Sequence, residues 1–175
     1  MSIYSNVKEL VEEIKELQPN RDVKICAVTK YVDEQKIREV YQAGLRIVGE
    51  NRVEELLKKK EQLQDLDLEW HFIGTLQSRK VKHIINHIDA LHYLDRLKIA
   101  DLIEKHREKP VDVFVQVNCS GEKTKHGLTV EEVLPFIKQL ASYQKIRVIG
   151  LMTMAPYTDD EEVIRQTFQT LSLLK

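Results

Sequence analysis

A single lysine that follows an apolar, strand-like run is the residue of this sequence best placed to do chemistry. Lys30 comes just after residues 23–28, which are apolar at every position but one. Parallel strands buried on both faces read as such continuous runs, and α/β barrels carry their functional residues at the carboxyl ends of these strands. A partly desolvated lysine there is a nucleophile able to form a Schiff base. Its position alone also allows a solvated surface lysine.

Polar side chains follow several of the other strand-like segments. Asn51 and Gln77 carry amides that can hydrogen-bond a heteroaromatic ring, and Arg52, Arg79 and Lys125 could balance an anionic ligand. Each of these residues taken singly fits a solvated loop, because loops are mostly surface. Their recurrence at one predicted rim favours a ligand site.

Three other patterns are weaker. His83 and His87 have the i, i+4 spacing of two metal ligands on one helix, but no carboxylate or thiolate lies at a suitable spacing, so no metal site is predicted. Residues 121–124 resemble a phosphate-binding loop but lack its earlier glycine and its Gly-Lys adjacency. The lysine run at residues 58–60 lies among glutamates and is typical of a solvated helix face. No catalytic nucleophile with a supporting base stands out.

Composition excludes several classes of function. The net charge is −1, with 27 basic and 28 acidic residues intermixed, which argues against electrostatic capture of nucleic acid or of a membrane surface. No stretch approaches the ~20 apolar residues of a membrane span, and the first residues do not resemble a secretion signal. Cys26 and Cys119 lie in or next to apolar runs, which indicates reduced core thiols and a cytoplasmic protein.

Strand-like and helix-like segments alternate along the chain without a break in composition. The strand-like segments cover residues 23–28, 46–49, 70–74, 90–94, 111–117 and 147–153. A leading amphipathic helix over residues 6–17 and a helix after each strand complete the pattern. This alternation predicts a parallel sheet with helices packed on it. A TIM-type (β/α) barrel needs two more βα units, so we predict a single α/β barrel domain over residues 1–175, truncated after about six units.

Capping residues indicate where several helices begin and end. The predicted caps are, in chain order, Asn6 with Glu9, Asp33, Thr129 with Glu132, and Thr158 with Glu161, and Gly44 is the predicted stop of the second helix. Short polar side chains satisfy the free N–H groups of a first helical turn, and glycine accepts the left-handed conformation that ends a helix.

Five motifs occur together in this sequence: Ala-Val-Thr-Lys at 27–30, Gly-Glu-Asn-Arg at 49–52, His-Phe-Ile-Gly-Thr-Leu-Gln-Ser-Arg-Lys at 71–80, Lys-His-Gly-Leu at 125–128 and Gly-Leu-Met at 150–152. In order and spacing they resemble the pyridoxal 5′-phosphate homeostasis protein family, the YggS/PROSC group. The resemblance implies a barrel like the N-terminal domain of alanine racemase. It also implies pyridoxal 5′-phosphate (PLP) bound as a Schiff base on Lys30, and a role in intracellular PLP supply without enzymatic turnover.

The resemblance also implies which residues surround the cofactor. Asn51, His71 and Ile73 would border its ring, and Met152 and Met154 would lie beneath or beside it. In the family, the loops that bind the PLP phosphate come after the last helix that can be recognised in this sequence, so we expect PLP binding to be weak. We also expect self-association, because six strands leave the first and the sixth as open edges.

Two other functions stay open. A PLP-dependent amino-acid racemase or lyase is the first, although an alanine-type racemase needs a second acid/base group that a C-terminal β-domain brings. A cofactor-free barrel remnant with an interaction role is the second. The oligomeric state is not predicted, and PLP is the only partner expected.

Overall fold

A computed structural model describes residues 2–121 and 126–174 of the chain. They group into two compact units, of which the first ends at Phe72 and the second begins at Ile73. The first unit comprises α1 (Ile3–Leu17), β1 (Cys26–Val28), α2 (Glu34–Gln42), β2 (Ile47–Glu50), α3 (Val53–Gln62) and β3 (Glu69–Phe72). The second comprises a 3-10 turn (Ser78–Lys80), α4 (Val81–Ile84), β4 (Ala90–Leu94), α5 (Leu97–His106), β5 (Val111–Gln116), α6 (Val130–Leu140), β6 (Ile146–Met152) and α7 (Glu161–Leu173).

The strands of each unit pair in parallel and in chain order. In the first unit β2 lies between β1 and β3, and Val28, Gly49 and His71 are in register across the three strands. In the second unit β5 lies between β4 and β6, with a register irregularity on each side. The predicted alternation of parallel strands and helices is therefore confirmed, strand by strand.

The predicted helix starts were right at two places and wrong at two others. Asp33 caps α2, Thr129 and Glu132 form the capping box of α6, and Gly44 follows α2 with a φ of 103°. The first helix, however, begins at Ile3, because the Ser2 hydroxyl accepts a hydrogen bond from the Ser5 N–H at 3.1 Å.

The last helix is capped by Asp160 and not by Thr158. The Asp160 carboxylate accepts from the N–H groups of Glu162 and Val163, whereas the Thr158 hydroxyl accepts from the Asp160 N–H one turn earlier. The first helix thus starts before its predicted cap and the last helix after it, and in each a short polar residue directly before the helix takes the capping role.

The predicted helix after β3 is much shorter than its pattern suggests. Its α-helical part ends at Ile84, so His83 and His87 do not share one helical face, and both are exposed. The apolar residues of this segment are nevertheless buried, namely Val81, Ile84, Ile85 and Ile88. Among the described residues, no helix has both the length and the apolar character needed to cross a bilayer.

Candidate functional site

Lys30 lies in the turn that follows the first strand. Thr29 extends the pairing of β1 by donating its N–H to the Gly49 carbonyl at 2.9 Å, and the Val32 N–H closes a turn on the Thr29 carbonyl at 3.2 Å. The Lys30 side chain is half-buried, with its Nζ 5.1 Å from the centre of the Tyr31 ring. The predicted position of Lys30 after the first strand is confirmed, but the prediction that this strand is buried on both faces is wrong, because Cys26 and Ala27 are half-buried and Val28 is exposed. Because the turn starts here, however, strand alternation does not determine where the side chain points.

Two further residues expected at the site, His71 and Asn51, lie in β3 and just after the end of β2. Residues in register project to the same side of a sheet, so Val28, Gly49 and His71 share a face. Gly49 places no side chain between the other two. His71 is buried, and its Nε2 donates to Glu69 Oε1 at 2.8 Å. Asn51, one residue beyond β2, is half-buried.

A cysteine lies one step earlier along this same face. Cys26 is in register with Ile47 and Glu69. Burial, together with the Glu69 carboxylate, raises the pKa of the Cys26 thiol to about 12. Both Cys26 and Cys119 are free thiols, as the sequence predicts, and both are half-buried where core positions were expected. The Cys26 sulfur is therefore a neutral packing group at physiological pH.

The opposite face of the sheet carries a buried charged cluster. Glu50 is fully buried, and Thr29 and Lys59 are 1% and 5% exposed. Glu50 Oε1 accepts from Lys59 Nζ at 2.7 Å and from the Thr29 hydroxyl at 2.6 Å. Lys59 Nζ also donates to the Thr29 carbonyl at 2.8 Å. We call these three residues the Thr29–Glu50–Lys59 brace.

The brace contradicts the prediction of a solvated helix face at residues 58–60. Lys58 is exposed as expected, but Lys59 points inward from α3 towards β1 and β2. The signal was present in the spacing, because position 59 follows Leu56 by three residues and precedes Leu63 by four. Those positions form the apolar stripe of the helix, and a lysine on such a stripe needs a buried partner.

A cavity of about 350 Å³ opens beside the Lys30 turn. It is lined by Lys30, Tyr31, Val32, Asp33, Glu34, Glu55, Lys58, Lys59 and Gln62. These residues belong to the turn, the start of α2 and α3, so the cavity lies on the Lys59 side of the sheet. Its lining mixes acidic and basic groups, which gives it no clear preference for an anion.

The other expected residues lie in the second unit. Ile73 is half-buried at the start of this unit, and Met152 is the half-buried last residue of β6. Met154 is exposed, and its sulfur accepts a hydrogen bond from the Tyr93 hydroxyl at 2.8 Å. Lys125, whose role the sequence left open, lies outside the described residues.

Main-chain hydrogen bonds hold the end of β5. The Leu128 N–H donates to the Gln116 carbonyl at 2.9 Å, and the Asn118 N–H donates to the Leu128 carbonyl at 2.8 Å. Gly127 has a φ of +114°, and a Cβ there would lie 2.9 Å from the Asn118 nitrogen. Gln116 is buried, and its Oε1 has no hydrogen-bond partner among the described residues.

Comparison with known proteins agrees with this architecture. The model of the family "Alanine racemase, N-terminal domain" matches residues 2–175. The pyridoxal phosphate homeostasis protein of Aquifex aeolicus is 43% identical over 155 residues, which are 87% of this chain and 68% of that protein.

Solved structures show the same likeness. PipY of Synechococcus elongatus, with PLP bound, has a TM-score of 0.77 and 29% identity over 93% of this chain and 80% of that one. An alanine racemase of Clostridium difficile has a TM-score of 0.76 at 18% identity, over 97% of this chain and 46% of that one, and this likeness concerns the fold alone. The expected fold of the alanine racemase N-terminal type is confirmed.

Proposed function

We propose that this chain, which belongs to the pyridoxal phosphate homeostasis protein family, binds PLP as a Schiff base on Lys30 and serves intracellular PLP homeostasis. The observation that carries the proposal is a half-buried lysine at the end of the first strand, in a chain whose structural relative PipY has PLP bound. A cytoplasmic location and a single PLP-binding domain over residues 1–175 are parts of the same proposal.

The residues around Lys30 fit this cofactor. No carboxylate among the described residues pairs with the Lys30 side chain, so no ion pair competes with an aldehyde for its nitrogen. On the sheet face of Val28 and His71, Gly49 presents no side chain next to the imidazole. PLP, when bound, supplies an aldehyde that condenses with a lysine amine with release of one water.

Each of the other expected residues has a role in the proposal. Asn51 would hydrogen-bond the ring through its amide, and His71 would contact the ring with its imidazole oriented by Glu69. Ile73, Met152 and Met154 would supply apolar contact. These roles rest on residue chemistry and on the family resemblance.

We propose a binding protein and not an enzyme. The relatives are named as homeostasis proteins, and the likeness to alanine racemases concerns the fold alone. Incubation with PLP and with D- and L-amino acids tests this part, with racemisation or release of a keto acid followed over many equivalents. Sustained turnover would make the racemase or lyase the better description.

The PLP link is tested by reduction and mapping. The protein is incubated with PLP, reduced with borohydride, digested and analysed by mass spectrometry. We expect the reduced adduct on Lys30, its loss in Lys30→Ala, and its retention in Lys36→Ala, where an exposed lysine pairs with Glu39. An adduct found chiefly on Lys80 or Lys125 would overturn the assignment.

A further inference from the structure

The Thr29–Glu50–Lys59 brace ends directly beside two residues of the candidate site. Thr29 precedes Lys30, and Glu50 precedes Asn51. We propose that Lys59 and Glu50 are positioning residues, which hold the Lys30 turn so that its amine is presented to a carbonyl ligand. This inference rests on the proposed function, because it assumes that Lys30 reacts with an aldehyde.

The brace engages every polar group of the residue before Lys30. The Thr29 N–H donates to Gly49, its hydroxyl donates to Glu50, and its carbonyl accepts from both Lys59 Nζ and the Val32 N–H. The last of these bonds is the one that closes the Lys30 turn. The Lys59 ammonium therefore donates to the same carbonyl oxygen that accepts the turn-closing hydrogen bond from the Val32 N–H.

The brace also joins two successive strand ends through one helix. Glu50 Oε1 accepts both charged and neutral donors, at 2.7 Å from Lys59 and 2.6 Å from Thr29. Charge-assisted hydrogen bonds of this length are strong and directional. The ends of β1 and β2, which carry Lys30 and Asn51, are therefore held in one fixed arrangement from the side of α3.

Stability alone is a poor explanation for this cluster. The cost of removing two charges from water offsets most of the attraction in a buried ion pair, and well-packed apolar replacements are often neutral or stabilising. Glu50 Oε2 is also buried without a hydrogen-bond partner among the described residues, which adds to the cost. A positioning role accounts for placing charges here, because only directional bonds can set the orientation of the Thr29 carbonyl.

The test separates positioning from folding by removing both charges together. In Lys59→Met/Glu50→Leu no buried charge is left alone, and the Thr29 hydroxyl keeps the Gly49 carbonyl at 3.3 Å as an acceptor. Lys98→Met, at an exposed position of α5 that does not line the cavity beside Lys30, is the control. Urea unfolding measures stability, and borohydride trapping at successive times measures how fast PLP links to Lys30.

We expect the double variant to unfold near the wild-type urea midpoint but to link PLP to Lys30 about tenfold to a hundredfold more slowly, because small displacements of a reacting group have effects of this size. Lys98→Met should match the wild type in both measurements. A folded double variant that links PLP at the wild-type rate would overturn the inference.

A second pair of variants covers the case in which the double variant does not fold. Thr29→Val removes the hydroxyl bond to Glu50 while the ion pair remains, and Thr29→Ser keeps that hydroxyl. We expect a several-fold slower reaction at Lys30 in Thr29→Val and recovery in Thr29→Ser. Equal rates in the two folded variants would count against positioning.

A reagent other than PLP distinguishes the two proposals. Reductive methylation with formaldehyde and borohydride modifies any accessible amine, and the ratio of Lys30 to Lys36 modification reports how the turn presents Lys30. If the wild type fails to select Lys30 with PLP, the proposed function fails. If this methylation ratio is the same in the wild type and in the brace variants, the positioning role fails, whatever the result with PLP.

Discussion

At the ends of β1 and β2 the chain is held by buried side-chain charge, whereas at the end of β5 it is held by main-chain hydrogen bonds around a glycine. In the first region Lys59 and Glu50 both hydrogen-bond Thr29 and each other. In the second, Leu128 bonds both Gln116 and Asn118 through its backbone. A charged brace depends on the identity of each side chain. The second region, which we call the main-chain clamp, comprises residues 116–118 and 127–128. It tolerates most side chains but needs glycine at position 127, where a Cβ would collide with the Asn118 nitrogen.

The largest expected effect comes from breaking the charged brace on one side only. Lys59→Met leaves Glu50 buried without its cation, which should lower the free energy of unfolding by about 3–5 kcal/mol. Urea denaturation followed by circular dichroism measures the change. Lys58→Met, on the exposed side of α3, should stay within about 0.5 kcal/mol of the wild type. Equal losses in the two variants would show that the buried Lys59 contributes no more to the free energy of unfolding than an exposed lysine.

The matching change in the main-chain clamp is Gly127→Ala. The φ of +114° is strained for alanine, and the new Cβ would lie 2.9 Å from the Asn118 nitrogen, so we expect a loss of about 2–3 kcal/mol. Gly44→Ala is the control, because its φ is +103° but nothing lies within 4 Å of the added carbon. It should lose only about 1 kcal/mol. A similar loss at both glycines would mean that conformation, not close approach, determines the cost.

A smaller effect is expected from the side-chain bond that supports the clamp. The Thr153 hydroxyl donates to the Val117 carbonyl at 2.8 Å, and Thr153→Val removes that bond, which should cost about 1 kcal/mol. Thr153→Ser keeps the donor and should recover most of the loss. If Thr153→Val is as damaging as Lys59→Met, the second region also depends on side-chain chemistry and the contrast is lost.

The smallest effect concerns the two thiols, one in each region. Burial and Glu69 raise the pKa of Cys26 to about 12. Burial also raises the pKa of Cys119, but a hydrogen bond with the Thr153 side chain opposes that shift. The reactive thiolate is therefore scarce at Cys26 below pH 9, and its alkylation should keep accelerating with pH up to about 12. Mass spectrometry after iodoacetamide treatment at pH 8 should find Cys119 modified first.

The same alkylation experiment tests whether Thr153 influences the reactivity of the Cys119 thiol. Thr153→Val removes the hydrogen bond that lowers the pKa of Cys119, so alkylation of Cys119 should slow while Cys26 is unaffected. Faster alkylation of Cys119 in this variant would show instead that the change opens the region to solvent.

Local patterns predicted much of this protein correctly. The six strands, the Asp33 cap, the capping box of Thr129 with Glu132 and the stop at Gly44 depend on residues a few positions apart. Neighbours in sequence determine the backbone hydrogen bonds of a turn or a first helical turn, so such features can be read without knowing the fold. The place of Lys30 just after the first strand was predicted in the same way.

The sequence by itself thus determined the alternating α/β plan and the strand end that carries Lys30. Only the tertiary structure decided how that end is held. Lys59 lies in a run of three lysines, and its partners Glu50 and Thr29 are 9 and 30 positions away. Whether a charge is solvated or buried depends on which distant group faces it, because the cost of burial is met only by a partner at hydrogen-bond distance. Residue spacing can place Lys59 on an inner helix face, but packing chooses the carboxylate that it meets.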